Sequence, residues 1–83
     1  MTLLYFAWLR QKIGKSEETL VLPASIATVA ELAAWLGARG SGYAEAFADL
    51  RRLRAAINQV HVDFDAPISD GDEIAFFPPV TGG

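Results

Sequence analysis

The segment 28-TVAELAAWLGARG-40 decides how this chain folds, because here the hydrophobic period changes. Val29, Leu32, Ala33 and Leu36 fall at i, i+3, i+4 and i+7, one stripe of an amphipathic helix. Thr28 followed three residues later by Glu31 is a capping-box pattern at the helix start, and Gly37 or Gly40 can end it. On both sides the apolar residues run at strand length instead, so the helix lies between strand-forming segments.

Upstream, 2-TLLYFAWLRQ-11 is rich in aromatic and aliphatic residues and reads as a strand through Arg10. The stretch 12-KIGKS-16 supplies a turn at Gly14. The next strand, 17-EETLVLP-23, carries Leu20 and Leu22 on one face and ends at Pro23, so the two strands form a hairpin. Downstream, 42-GYAEAFADLRR-52 gives a weaker helical stripe through Tyr43, Phe47 and Leu50. In 53-LRAAINQVHV-62 a strand, an Asn58-Gln59 turn and a shorter strand follow. Turn chemistry fills 65-DAPISDGD-72, sharpest at Asp70-Gly71. The last strand, 73-EIAFF-77, is cut by Pro78, which has no N–H to donate to a ladder. These elements predict one α+β domain with helices packed on one face of a mixed sheet.

Composition restricts the chemistry. Eighty-three residues, 52% of them hydrophobic, form one small globular core and leave no room for a deep catalytic cavity. The net charge of −3 argues against nucleic acid, whose partners carry a basic footprint. The longest apolar run, 3-LLYFAWL-9, is too short to span a bilayer, and no secretory leader pattern opens the chain, so a cytoplasmic protein is expected. There is no cysteine and one histidine, His61, which leaves no ordinary set of nucleophile, base or metal ligands. Chemistry is therefore expected on a partner or at the chain's end.

Strand phase points to a surface. If Arg10 faces solvent, so do Thr2, Leu4, Phe6 and Trp8, while Leu3, Tyr5, Ala7 and Leu9 face inward. On the last strand Glu73 marks the outer side, which puts Ala75 and Phe77 outward and Ile74 and Phe76 inward. The outer face then displays Phe6, Trp8 and Phe77. Two readings stay open: a docking patch, since contiguous exposed aromatics mark interfaces, or a face covered by a loop or displaced by a slip in phase. Other patterns are weaker. The glycines of 37-GARGSG-42 have the wrong spacing for a dinucleotide fingerprint, and Pro67 interrupts the calcium-loop likeness of 63-DFDAPISDGDE-73. Arg51 to Arg54 read as a solvated helix end or a contact for an acidic partner, and His61 as a surface or interface side chain.

The end of the chain, 76-FFPPVTGG-83, remains. Four residues after Pro79 reach at most roughly 13–14 Å. The prolines direct them away from the sheet, Val80 and Thr81 can grip a groove, and Gly82 and Gly83 can thread a channel too narrow for any side chain. The flexible tail 80–83 thus ends in an unhindered carboxylate. To become reactive that carboxylate needs activation, most simply as an acyl adenylate.

The whole chain resembles the small subunits of molybdopterin synthases, a ubiquitin-like β-grasp family of sulfur carriers. The resemblance is carried by 6-FAWLRQKIG-14, 29-VAELAAWL-36 with its cap, 55-AAINQ-59 and, most specifically, 70-DGDEIAFFPPVTGG-83. It implies that the Gly83 carboxylate, preceded by Gly82, is adenylated with ATP by a ubiquitin-activating-like enzyme and converted to a thiocarboxylate by a persulfide-linked donor. It also implies that the tail enters the large synthase subunit, which holds the catalytic side chains, in an assembly with two of each chain. There the sulfur passes to cyclic pyranopterin monophosphate to build the molybdopterin dithiolene. The carrier itself would hold no cofactor or metal. The implied partner-binding set is Phe6, Trp8, Arg10, His61, Phe77, Pro78, Pro79, Val80 and Thr81; at His61 relatives often carry an apolar residue. Two other classes remain: a sulfur carrier for thiamin or tRNA thiolation, and a ubiquitin-like modifier joined to lysines.

Overall fold

The computed structural model describes residues 1–79. Five strands and three α-helices follow in the order β1 (Thr2–Tyr5), α1 (Trp8–Ile13), β2 (Glu17–Thr19), α2 (Val29–Gly37), α3 (Ser41–Ala46), a 3₁₀ turn (Leu50–Arg52), β3 (Arg54–Ile57), β4 (Val60–Val62) and β5 (Glu73–Phe77). The sheet order is β2-β1-β5-β3-β4. The first and last strands lie side by side in parallel, Leu3 against Ile74 and Tyr5 against Phe76, and every other pairing is antiparallel. The α+β class, the mixed sheet and its helical layer are as the sequence predicts.

Local chemistry explains the elements. At α2 the Thr28 side chain accepts from the Glu31 N–H while Glu31 accepts from the Thr28 N–H, a complete capping box. Two further N–H groups of its first turn, which a helix cannot satisfy internally, donate to the loop after β4: Val29 to the Ala66 carbonyl and Ala30 to that of Phe64. The long connection is thereby pinned to the helix. Between β3 and β4, Asn58 and Gln59 have φ of 49° and 71°, the pair of left-handed residues that a two-residue hairpin needs. Asn58 also bonds across to the Glu73 N–H and the Asp72 carboxylate, fixing that turn to the start of β5.

One face of the sheet is buried. Leu3, Tyr5, Ile74 and Phe76 pack with Leu9 of α1, Leu32 and Leu36 of α2, and Phe47 just beyond α3. The Phe47 and Phe76 rings meet edge-to-face with centroids 5.0 Å apart. Alternate residues on the same strands, among them Leu4, Ala75 and Phe77, take no part in this cluster. The inward phase read for β1 and β5 is therefore right at Leu3, Tyr5, Ile74 and Phe76.

Three expectations need correction. The first strand stops at Tyr5, not Arg10: Ala7 takes a positive φ of 56°, turns the chain and is exposed, and Trp8–Ile13 form α1. A continuous apolar run does not distinguish a strand from a strand followed by a helix, and the reversal falls on an alanine that gives no warning. Gly14, at φ 89°, caps this helix. Second, β2 ends at Thr19 and not at Pro23, although Leu20 still donates to the Met1 carbonyl and Leu20 and Leu22 both lean on the core. Third, Arg54 opens β3 and does not belong to the helix end, which finishes at Arg52.

Candidate functional site

The outer face of the sheet is built by register. Leu4 of β1 lies beside Ala75 of β5, Ala75 beside Ala56 of β3, and Ala56 beside His61 of β4. One step toward the C-terminal end, Phe77 pairs with Arg54. Beyond β1, Phe6 donates its N–H to the Phe76 carbonyl, which holds it level with the end of β5. Small side chains thus floor the centre, and Phe6, Phe77 and His61 stand around them. Phe6 is 47% exposed, one of few large hydrophobic side chains so open, and the His61 and Phe77 rings lie 5.1 Å apart at 47°. No described element covers this face: its residues lie outside the single cluster that the helices help form.

The residues expected there divide. Phe6 and Phe77 sit at the same end of the outer face, and Pro78 and Pro79 continue from Phe77, half-buried. Trp8 does not join them. The turn at Ala7 carries it to α1, where it leans on the core and lies under the Arg52 guanidinium, 5.0 Å from the ring centroid. Arg10 is exposed on the same helix, off the sheet. Val80, Thr81, Gly82 and Gly83 lie outside the described residues. Two members of the face escaped the sequence reading, Ala56 and Arg54. Phasing β3 from the Asn58-Gln59 turn, with Ile57 and Ala55 inward, would have found both.

Ionisable groups cluster elsewhere. On the helical side Glu18 accepts from the Tyr5 hydroxyl at 2.7 Å, the Tyr43 hydroxyl at 2.5 Å and the Arg39 guanidinium at 3.1 Å. Burial alone would raise the Glu18 carboxyl, but hydrogen bonds from Tyr43, Tyr5 and Arg39 outweigh it and hold the group below its ordinary value. Tyr5 and Tyr43 are pushed up, first by burial and then by their bonds to Glu18. The cluster ties β1, β2 and α3 together through the one Glu18 carboxylate. Among the described residues no three His, Cys, Asp or Glu side chains converge as metal ligands, and no helix is long and apolar enough to cross a membrane. Among the described residues the open feature is the outer sheet face, with Phe6, Phe77 and His61 around its small-residue floor.

Residues 3–83 match the ThiS family. The chain belongs to the ThiS family. Among ThiS-family relatives, the molybdopterin synthase sulfur carrier subunit of Escherichia coli (strain K12) is 44% identical over 80 residues, covering 96% of this chain and 95% of that one. The protein of the same name from Haemophilus influenzae is 37% identical over 83 residues, 100% of this chain and 99% of its own. Among solved structures, SAMP1 from Haloferax volcanii superposes with a TM-score of 0.70 at 26% identity, covering 100% of this chain and 98% of that one. The β-grasp expectation agrees with these likenesses.

Proposed function

We propose that this protein is the sulfur carrier subunit of molybdopterin synthase. The observation that carries the reading is end-to-end likeness to two sulfur carrier subunits of that enzyme, at 44% and 37% identity. The geometry supports it: an uncovered sheet face with an aromatic margin lies at the point where β5 gives way to Pro78 and Pro79. In this reading the outer face, through Phe6, Phe77 and His61, docks on the large subunit. Pro78 and Pro79 aim Val80 and Thr81 into that subunit's channel, and Gly82 and Gly83 pass where a Cβ would not fit.

The carrier's own chemistry is that of a carboxylate. Ionised at neutral pH, it is a poor electrophile. A ubiquitin-activating-like enzyme converts the Gly83 carboxylate to an acyl adenylate with ATP, releasing pyrophosphate; the donor's persulfide displaces AMP to form an acyl disulfide, and a thiol then cleaves its S–S bond, freeing the thiocarboxylate and leaving the donor sulfur in a disulfide. The thiocarboxylate is a soft sulfur nucleophile that cyclic pyranopterin monophosphate accepts within the large subunit, whose side chains handle the protons. Each transfer returns the carrier to its carboxylate form, and two transfers complete one dithiolene. Trp8 and Arg10 lie on α1, off the outer sheet face, and are not part of the docking set in this reading.

The test is reconstitution of thiocarboxylated carrier with a large synthase subunit, reading conversion of the pyranopterin precursor. Full-length carrier is expected to support it, and a chain lacking Gly83 to support none while melting at the same temperature. Conversion sustained by the truncated chain would refute the tail mechanism.

A further inference from the structure

The outer sheet face holds one titratable ring among its apolar residues. His61 lies opposite Ala56 in the ladder, is exposed, and packs its imidazole on Phe77. Histidine is the side chain whose charge ordinarily changes between roughly pH 5 and 8. The charged groups around it are Arg54 from β3, Asp63 at the end of β4 and Asp65 in the following loop, which line the shallow hollow that His61 also lines. From β5 it meets the uncharged Phe77 ring. None of the ion pairs among the described residues includes His61.

We propose that His61 sets the pH range over which this face accepts the large synthase subunit: uncharged, it completes an aromatic platform with Phe77, and charged, it opposes docking. The proposal rests on the docking reading above. Association strips water from the face. A neutral imidazole gives up little and keeps its ring contact, whereas an imidazolium loses its hydration without a carboxylate in contact to replace it. The free carrier then binds more protons than the docked one, so by linkage docking weakens as pH falls.

Two substitutions bracket the states. His61→Phe keeps the ring on Phe77 without a titrating group, and His61→Lys carries a charge throughout the range. Affinity for the large subunit would be measured by titration calorimetry from pH 8 to 5.5, with thermal melts confirming that each carrier stays folded. Wild type should track His61→Phe at pH 8 and fall progressively below it, by roughly fivefold at pH 5.5 and toward a tenfold ceiling in more acid, for a shift of about one pKa unit on binding. His61→Lys should bind weakly throughout. A constant ratio of wild type to His61→Phe across the range would overturn the proposal while leaving the docking reading intact. Absence of binding by every carrier at pH 8, with a large subunit that binds an authentic partner, would instead overturn the docking reading and this inference with it.

Discussion

Neighbouring residues on β5 show how one position changes the consequence of a side chain. Phe76 is fully buried and touches Phe47 edge-to-face, whereas Phe77 sits on the outer face beside His61. Phe76→Ala should cost about 3–5 kcal/mol of stability, the range for deleting a buried phenylalanine, read by chemical denaturation. Phe77→Ser should leave the melting temperature nearly unchanged and weaken large-subunit binding at least tenfold, a loss typical of a buried aromatic anchor. Binding at wild-type affinity would remove Phe77 from the docking face. This contrast was legible from alternation alone, because a strand places i and i+2 on one side. The Glu18 cluster was not legible, since nothing in local sequence brings Tyr5, Arg39 and Tyr43 to one carboxylate. Its pH behaviour follows from the lowered Glu18 value. The carboxylate stabilises the fold above the pH at which it ionises in the unfolded chain, and the gain is lost as pH falls through the lower folded value. Glu18→Ala should therefore cost roughly 1–3 kcal/mol at pH 7, with the gap to wild type closing in acid.

At the scale of elements, legibility depended on whether the boundary signal was carried by a side chain. Helix α2 was read with its cap because Thr28 and Glu31 make that cap themselves, and Thr28→Ala should lower stability by about 1 kcal/mol in a thermal melt. Helix α1 was missed because its start is a backbone reversal at Ala7. Its own sequence held the signal: Leu9 and Ile13 at i and i+4, Arg10 and Lys12 in the last turn, and Gly14 in the cap position. The consequence of that error was local to the site: it assigned to the outer sheet face Trp8 and Arg10, which belong to α1. Packing of α1 on α3 depends on a position no periodicity reveals. A Cβ on Gly42 would lie 1.7 Å from the Lys12 carbonyl oxygen, so the two helices approach backbone to backbone. Gly42→Ala should force them apart and cost about 1–3 kcal/mol or more, whereas alanine at Gly71, with open space around it, should be nearly neutral.

The described residues join a helical side that holds the fold together to a sheet side that no described element covers. Parallel pairing of β1 with β5 sets the first and last strands side by side within the sheet, and Pro78 follows the strand that carries Ile74 and Phe76 into the core. This arrangement was readable as a class from the switch between strand and helix periods, while strand order required pairing partners far apart in sequence. The central claim is that Gly83 carries sulfur, and the most direct measurement is the intact mass of the carrier after incubation with ATP, the adenylating enzyme, a persulfide-charged donor and a thiol reductant. The account predicts exchange of one oxygen for one sulfur on the full chain and none on a chain lacking Gly83. An unchanged mass on the folded full chain, with enzymes that charge an authentic carrier, would contradict it.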